Sequence, residues 1–115
     1  MRLISDSVAA AWLEDFIADP ENFDWDDGNR GKNAKHAVTD EEIESILSRE
    51  KYVFVGKIVE PPHDEWRGLI LGENPNGRPL ALVFTRRGEK IRPISCRPMR
   101  TREWRFYETI IENHS

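Results

Sequence analysis

Three short apolar segments separated by two turn sequences constrain the fold of this chain more than any other feature. Residues 66–72, 80–85 and 90–95 contain the β-branched and large apolar side chains that are typical of β-strands. Asn74-Pro75-Asn76-Gly77 lies between the first two segments and Arg87-Gly88 between the second two, and both sequences favour chain reversal. We therefore predict three consecutive antiparallel strands that form a β-meander.

Helical patterns occur on both sides of these segments. The first helix begins near Asp6 or Ser7 and ends at Asp19-Pro20, because a residue before proline is disfavoured in a helix. Thr39 and Glu42 have the spacing of a capping box that begins a second helix, and a third follows from about residue 101. The apolar residues at helical spacing are Val8, Trp12, Leu13, Phe16 and Ile17, then Ile43, Ile46 and Leu47, then Trp104, Tyr107 and Ile111.

The remaining segments complete an α+β pattern. Residues 23–25 predict a short strand before a turn, residues 29–36 a short basic helix, and residues 52–59 a further strand. This order predicts a meander sheet packed by N-terminal and C-terminal helices, all on one side of the sheet. The 115 residues suffice for one domain with one core.

Charge is distributed unevenly along the chain. The net charge is −4, but residues 1–50 carry −8 and residues 51–107 carry +6. Residues 86–105 contain seven arginines and one lysine against two glutamates. Arginine binds phosphate through two parallel hydrogen bonds, so an anion-binding surface is one interpretation. A basic face that pairs with the acidic half of the same molecule is the other.

Composition argues against several classes of protein. The longest apolar run, residues 8–13, has six residues, whereas a membrane-spanning helix needs about 20. The single cysteine, Cys96, cannot form an intrachain disulfide, and no Cys/His spacing is typical of a zinc site. We therefore expect no membrane association, no metal, no cofactor and a reducing, cytoplasmic location.

Two basic groups are candidates for chemistry. If residues 29–36 are helical, Lys32 and His36 share one face, and histidine exchanges protons near neutral pH. Alternatively, His36 only satisfies the carbonyl groups at the helix end. In the second group, alternation along a strand predicts that Arg92 and Arg97 point to opposite faces. Either arginine could hold phosphate or pair with a carboxylate, for example Arg97 with Glu103.

Five sequence pieces spread over residues 23–108 occur in a recognisable order. They are Phe23-Asp24-Trp25-Asp26-Asp27-Gly28-Asn29 with Lys32-Asn33 and Lys35-His36-Ala37-Val38; Glu65-Trp66-Arg67 with Gly72; Gly77-Arg78; Arg92-Pro93-Ile94-Ser95-Cys96-Arg97; and Glu103 to Tyr107. Together they resemble the BrnT toxin family. The resemblance implies a single domain with a BrnT-like toxin part (residues 23–108), an N-terminal helical extension (1–22) and a tail (109–115). The resemblance implies a RelE-like fold, ribonuclease activity and a DNA-binding antitoxin as partner protein.

The resemblance also implies a mechanism in which RNA is cleaved without metal, through attack of the ribose 2′-hydroxyl on the adjacent phosphate. A proton-transfer group and several cations would support that reaction. The residues it implies as catalytic are His36, Lys35, Arg67, Arg92 and Arg97, and those implied to contact substrate are Lys32, Arg78 and Tyr107.

Two departures from the family pattern keep other functions open. Only Ala34 separates Asn33 from Lys35, where the family usually has two residues, and Ala37 replaces a usual glycine. One missing helical residue turns His36 by about 100°. The alternative is therefore a catalytically inactive toxin-like domain that binds a protein partner or nucleic acid. A third possibility is a monomeric domain whose arginines pair internally.

Overall fold

The computed structural model describes residues 1–49 and 51–113. These residues form five β-strands, three α-helices and two 3₁₀ turns. In chain order they are β1 (Arg2–Ile4), α1 (Ser7–Glu14), a 3₁₀ turn (Pro20–Asn22), a second 3₁₀ turn (Lys32–His36), α2 (Asp40–Ser48), β2 (Val53–Glu60), β3 (Gly68–Glu73), β4 (Pro79–Arg87), β5 (Lys90–Pro98) and α3 (Thr101–Asn113). Residues 114 and 115, the end of the predicted tail, lie outside the described residues.

The strands form one antiparallel sheet in the order β1-β2-β3-β4-β5. Both predicted hairpins are present, since β3 pairs with β4 and β4 pairs with β5. Gly77 in the first turn and Gly88 in the second have φ angles of 82° and 62°, which glycine adopts more easily than other residues. The predicted α+β fold and its β-meander are therefore confirmed.

β1 is an edge strand that the sequence pattern does not predict. It pairs with β2, where Leu3 lies opposite Ile58 and Ile4 opposite Lys57. A side chain at Gly56 would collide with the carbonyl oxygen of Ile4, so glycine permits this close approach. Three residues are too few to reveal the alternation by which strands are recognised in a sequence.

α1 and α2 pack on one face of the sheet. Leu13 of α1 and Ile46 of α2 belong to the same buried cluster as Ile70 of β3. Two residues of the stripe predicted for the first helix lie outside this core, because Val8 and Ile17 are exposed. The buried side of α1 is therefore narrower than its sequence suggests.

α3 packs on the opposite face. Tyr107 of α3 belongs to a second buried cluster with Leu69 and Leu71 of β3. Side chains alternate along a strand, so Ile70 faces α2 while its two neighbours face α3. The prediction that all helices lie on one side of the sheet is wrong, because β3 is apolar on both sides and each side needs cover.

The predicted starts of two helices are confirmed. The carboxylate of Asp6 accepts a hydrogen bond from the Ala9 N–H at 3.0 Å and caps α1. Thr39 Oγ1 accepts from the Glu42 N–H at 3.1 Å, and Glu42 Oε1 accepts from the Thr39 N–H at 3.2 Å. These two hydrogen bonds between Thr39 and Glu42 form the reciprocal capping box that the sequence predicts for α2.

The predicted end of the first helix is wrong. α1 ends at Glu14 rather than at Asp19. The N–H groups of Asp15 and Phe16 donate to carbonyls three residues earlier, which tightens the final turn. Phe16 then packs edge-on against Phe23, with ring centroids 5.6 Å apart. Aromatic packing against the following loop therefore competes with continuation of the helix.

Candidate functional site

The outer edge of β5 is covered by a loop of residues 23–36, which contains the first predicted basic group. The Asp24 N–H donates to the carbonyl oxygen of Ile91 at 2.8 Å. Phe23 forms one isolated bridge with Ile91, so the strand predicted over residues 23–25 is a single bridge. The loop satisfies polar backbone groups that an open strand edge would leave unpaired.

Two buried asparagines hold this loop against β5. The amide nitrogen of Asn29 donates to the carbonyl oxygens of Pro93 and Asp24, both at 2.9 Å. Asn33 Oδ1 accepts from the Cys96 N–H at 2.8 Å. This role is absent from the sequence predictions, because nothing in the local pattern of residues 29–36 indicates which strand the amides would contact.

The loop and β5 run in the same direction, because Asn29 contacts β5 before Asn33 does along both segments. Arg92 therefore lies beside the beginning of the loop, and His36 lies towards the carboxyl end of β5. No hydrogen bond or ion pair joins His36 to Arg92 or Arg97 within residues 1–49 and 51–113. The second 3₁₀ turn separates the predicted proton-transfer residue from Arg92.

Arg78 supports the backbone at His36. Its Nη2 atom donates to the carbonyl oxygen of His36 at 2.8 Å, and its Nη1 atom to that of Ala37 at 2.6 Å. The Arg78 guanidinium, predicted to contact substrate, is thus hydrogen-bonded to the protein backbone. Lys32 and Lys35 are exposed and His36 is half-buried, so all three side chains reach solvent.

Arg92 pairs with carboxylates of the loop. Its Nη1 and Nη2 atoms donate to the two carboxylate oxygens of Asp26, each at 3.0 Å, and Asp24 lies 3.7 Å away. Hydrogen bonds from Arg92 and from the Gly28 N–H lower the pKa of Asp26. The interpretation in which basic residues pair with the acidic half of the chain is therefore correct for Arg92.

Arg97 pairs with Glu103, as one of the two sequence interpretations proposes. Its Nη1 and Nη2 atoms donate to the carboxylate of Glu103 at 2.7 and 2.9 Å. The Arg100 N–H donates to the same carboxylate at 2.8 Å. Burial acts to raise the pKa of Glu103, but the hydrogen bonds and nearby positive charges outweigh it, so the pKa is lowered.

A β-bulge brings Arg92 and Arg97 to the same face of the sheet. The pairing between β4 and β5 shifts beside Ile94, which has no partner on β4. Arg92 lies opposite Thr85 and Arg97 opposite Ala81, and these two β4 residues are on the α3 side of the sheet. The prediction that the two arginines point to opposite faces is wrong, because it assumes unbroken alternation.

Arg67 lies in one cross-strand row with Arg92. Gly68 pairs with Phe84, so the register places Arg67 beside Thr85, which in turn lies opposite Arg92. Two strand spacings correspond to about 10 Å between the Cα atoms of the two arginines. The sheet therefore brings together two predicted phosphate-binding residues that are 25 positions apart in the sequence.

A family model described as the ribonuclease toxin BrnT of a type II toxin–antitoxin system matches residues 25–103. The chain belongs to the BrnT toxin family. This membership confirms the resemblance in the sequence and implies an antitoxin partner and an RNA substrate. A comparison with curated proteins found no match. None of the helices within the described ranges has the length and apolarity to cross a bilayer.

The BrnT match contains the cross-strand row of Arg67 and Arg92 and residues 25–36 of the loop that carries His36. It includes β2 to β5 and the start of α3, whereas β1 and α1 lie outside it. The N-terminal elements therefore add an edge strand and a covering helix to the part of the chain that the family shares.

Tyr107, predicted to contact substrate, lies in the core of this BrnT chain. Its hydroxyl donates to the carbonyl oxygen of Lys51 at 2.7 Å, and a carboxylate oxygen of Glu73 lies 3.2 Å away. Burial, together with the charge of Glu73, raises the pKa of Tyr107 to about 12. The hydroxyl is thus occupied by protein acceptors beneath α3.

Ala37, which stands where the sequence resemblance leads us to expect glycine, has a backbone conformation that suits glycine. Its φ of 56° and ψ of 41° are in the left-handed region, where a side chain costs about 1–2 kcal/mol. We expect Ala37→Gly to raise the free energy of unfolding by about 0.5–1 kcal/mol, measured by urea denaturation.

Ala34→Gly is the matched control for Ala37→Gly. Ala34 lies in the same 3₁₀ turn and is not among the residues with positive φ. Glycine should therefore lower stability there, by roughly 0.5–1 kcal/mol. Equal losses for both variants would show that the conformation of Ala37 carries no strain.

The pair between Arg97 and Glu103 should make stability depend on pH. Because the folded-state pKa of Glu103 is lowered, its contribution is fully present above the unfolded value near 4.3 and is lost as pH falls through the folded value. We expect Glu103→Gln to lower the free energy of unfolding by about 1–3 kcal/mol at pH 7 and by less at pH 3.

Urea denaturation at both pH values measures this difference. Glu108→Gln is the control, because Glu108 is an exposed residue of the same helix. It should change stability by less than about 0.5 kcal/mol at either pH. A loss for Glu103→Gln that is independent of pH would contradict an ionic contribution.

Proposed function

We propose that this BrnT protein cleaves RNA without a metal ion, through attack of a ribose 2′-hydroxyl on the adjacent phosphorus. In this reaction the oxygen–phosphorus bond to the 5′-oxygen breaks and a 2′,3′-cyclic phosphate forms. A base removes the 2′-hydroxyl proton, and an acid protonates the departing 5′-oxygen. We assign the proton transfers to His36, with Lys35 beside it, and phosphate binding to Arg67, Arg92 and Arg97.

The cationic row on one face of the sheet is the observation that supports this proposal most. Arg67 and Arg92 lie about 10 Å apart across two strand spacings, and Arg97 is on the same face. Positive charges placed in advance stabilise the negative charge that develops on the phosphate oxygens. The Arg92 side chain is 13% exposed, so a phosphate would have to displace the Asp26 carboxylate, which is 57% exposed, to bind Arg92.

We also propose that the antitoxin is a DNA-binding protein and that the free toxin acts in the cytoplasm, where its RNA substrate lies. The basic second half of the chain, with a net charge of +6 over residues 51–107, would suit a partner with an acidic segment. That segment would compete with RNA for the same face of the sheet.

The distance between His36 and the row of Arg67 and Arg92 favours a second function, in which the protein binds RNA or a partner but does not cleave RNA. His36 lies at the carboxyl end of β5, where it contacts Arg78, whereas the row of Arg67 and Arg92 lies at the other end. A domain of this kind could bind RNA or a partner without cleaving it.

Cleavage of a defined RNA by the purified protein in the presence of EDTA separates these functions. We expect products with a 2′,3′-cyclic phosphate and no cleavage of an RNA with a 2′-deoxy residue at the cut position. Products with a 5′-phosphate, formed only when magnesium is added, would contradict the metal-independent mechanism. RNA binding without cleavage of any RNA would support the second function.

A further inference from the structure

A cleft next to the cationic row contains a histidine to which the sequence predictions assign no role. The cleft has a volume of about 500 Å³ and is lined by Pro62, His63, Asp64, Glu65 and Arg67. His63 is exposed in the loop between β2 and β3. His63 shares the cleft with Arg67, which is predicted to bind phosphate. His36 does not line this cleft.

Arg67 differs from the other predicted arginines in its hydrogen bonds. Arg78 and Arg92 each make two side-chain hydrogen bonds to protein oxygens, and Arg97 makes three. The Arg67 guanidinium makes none within the described ranges, and its Nε atom is buried without a partner. Its ion pair with Glu65 has a separation of 3.6 Å, beyond an ordinary hydrogen bond. The buried Nε atom cannot reach an external ligand, but the terminal nitrogens of this side chain, which is 25% exposed, keep donors for an external oxyanion.

The acidic residues of the cleft do not cancel this positive charge. Glu65 accepts a hydrogen bond from Arg87 at 3.2 Å, so one of the two carboxylates is already paired with a residue outside the cleft. Asp64 is exposed, where water screens its charge. With His63 protonated, three cations, including Arg87, stand near two carboxylates.

We propose that His63 and Arg67 form a subsite that binds one phosphate group of the RNA, with His63 as a substrate-binding residue. This inference rests on the proposed function, which makes RNA the substrate. Guanidinium and imidazolium groups both donate charge-assisted hydrogen bonds to phosphate oxygens. From this cleft, the RNA backbone continues along the row from Arg67 towards Arg92.

The test is the affinity of a fluorescein-labelled single-stranded 2′-O-methyl RNA, measured by fluorescence anisotropy. This RNA lacks the attacking hydroxyl, so binding is measured without cleavage. Asp64, Glu65 and Arg67 are the charged groups beside His63 in the cleft, and the imidazole adds a positive charge to them only in its protonated form. Its contribution should therefore be greater at pH 5.5 than at pH 8.

We expect His63→Gln to weaken RNA binding by about 5–50-fold at pH 5.5 and by less than about twofold at pH 8. Arg67→Gln should weaken binding by about 10–100-fold at both pH values. At pH 5.5, His63→Gln should also reduce the slope of log K against log salt by about 0.7, which corresponds to one phosphate contact on a single strand. A structural role would not change that slope.

Arg105→Gln is the control for loss of a distant positive charge, because Arg105 is exposed on α3. Equal losses for Arg105→Gln and His63→Gln would overturn the subsite in favour of nonspecific attraction. Arg67→Lys, with circular dichroism of every variant, covers the case in which Arg67→Gln does not fold. It keeps the charge and should bind more tightly than Arg67→Gln.

The outcomes also separate this inference from the proposed function. If the parent cleaves RNA and His63→Gln binds as tightly as the parent at pH 5.5, the subsite is wrong and ribonuclease activity stands. If the parent cleaves no RNA but His63→Gln and Arg67→Gln both bind RNA more weakly, the proposed ribonuclease activity is wrong and the subsite stands.

Discussion

Replacing His36 with glutamine should slow RNA cleavage by about 10²–10⁴-fold, more than any single arginine substitution. Glutamine keeps a polar side chain but cannot exchange a proton near neutral pH, so the variant tests proton transfer rather than shape. Arg67, Arg92 and Arg97 share one sheet face, and neighbouring arginines can partly replace one another. Single-turnover cleavage of a saturating RNA substrate measures the effect on the chemical step.

Two outcomes would change this assignment. If His36→Gln cleaves as fast as the parent while Arg92→Ala and Arg97→Ala are inactive, catalysis is electrostatic and the role of His36 is wrong. If the parent itself is inactive, the short segment from Asn33 to His36 is the first cause to test. We expect an insertion after Asn33 to turn His36 relative to Asn33, whose side chain accepts the hydrogen bond from the Cys96 N–H.

The parts of the fold that could be predicted from the sequence are those with local signals. Two-residue and four-residue turn sequences determine which strands are neighbours, and the capping box of Thr39 and Glu42 determines where α2 begins. β1 is too short for a periodic signal. The prediction places the helices on one face and so misses α3 on the other, although the unbroken apolar run of Leu69, Ile70 and Leu71 requires burial on each side.

The candidate site depends on contacts between residues that are far apart in the sequence, and such contacts are harder to predict. Arg97 and Glu103 are six positions apart, so their pair could be proposed from spacing alone. Arg92 and Asp26 are 66 positions apart, and only the folded loop brings them together. The bulge at Ile94 has no simple sequence signature, yet it decides that Arg92 and Arg97 share a face.

Asn29→Ala should lower the free energy of unfolding by about 2–4 kcal/mol, the largest loss that we expect from a single polar side chain. The buried amide of Asn29 donates to Pro93 and Asp24, and its Oδ1 accepts from the Asp26 N–H at 2.8 Å. Alanine leaves these backbone groups without their partner, and the Pro93 carbonyl is removed from water. Urea denaturation measures the loss, and Asn76→Ala in the exposed β3–β4 turn is the control.

Hydrogen exchange in Asn29→Ala should show whether Asn29 orders the loop, in addition to its effect on the free energy of unfolding. Asn29 and Asn33 are two side-chain attachments between the loop and β5, so loss of the first should increase hydrogen exchange at the Asp24 and Asp26 N–H groups. Exchange at the Cys96 N–H should change less, because Asn33 still accepts its hydrogen bond. If Asn29→Ala and Asn76→Ala lower stability equally, the loop is held by Asn33, the pair between Arg92 and Asp26, and backbone contacts. In that case the Asn29 side chain does not position the segment that carries His36.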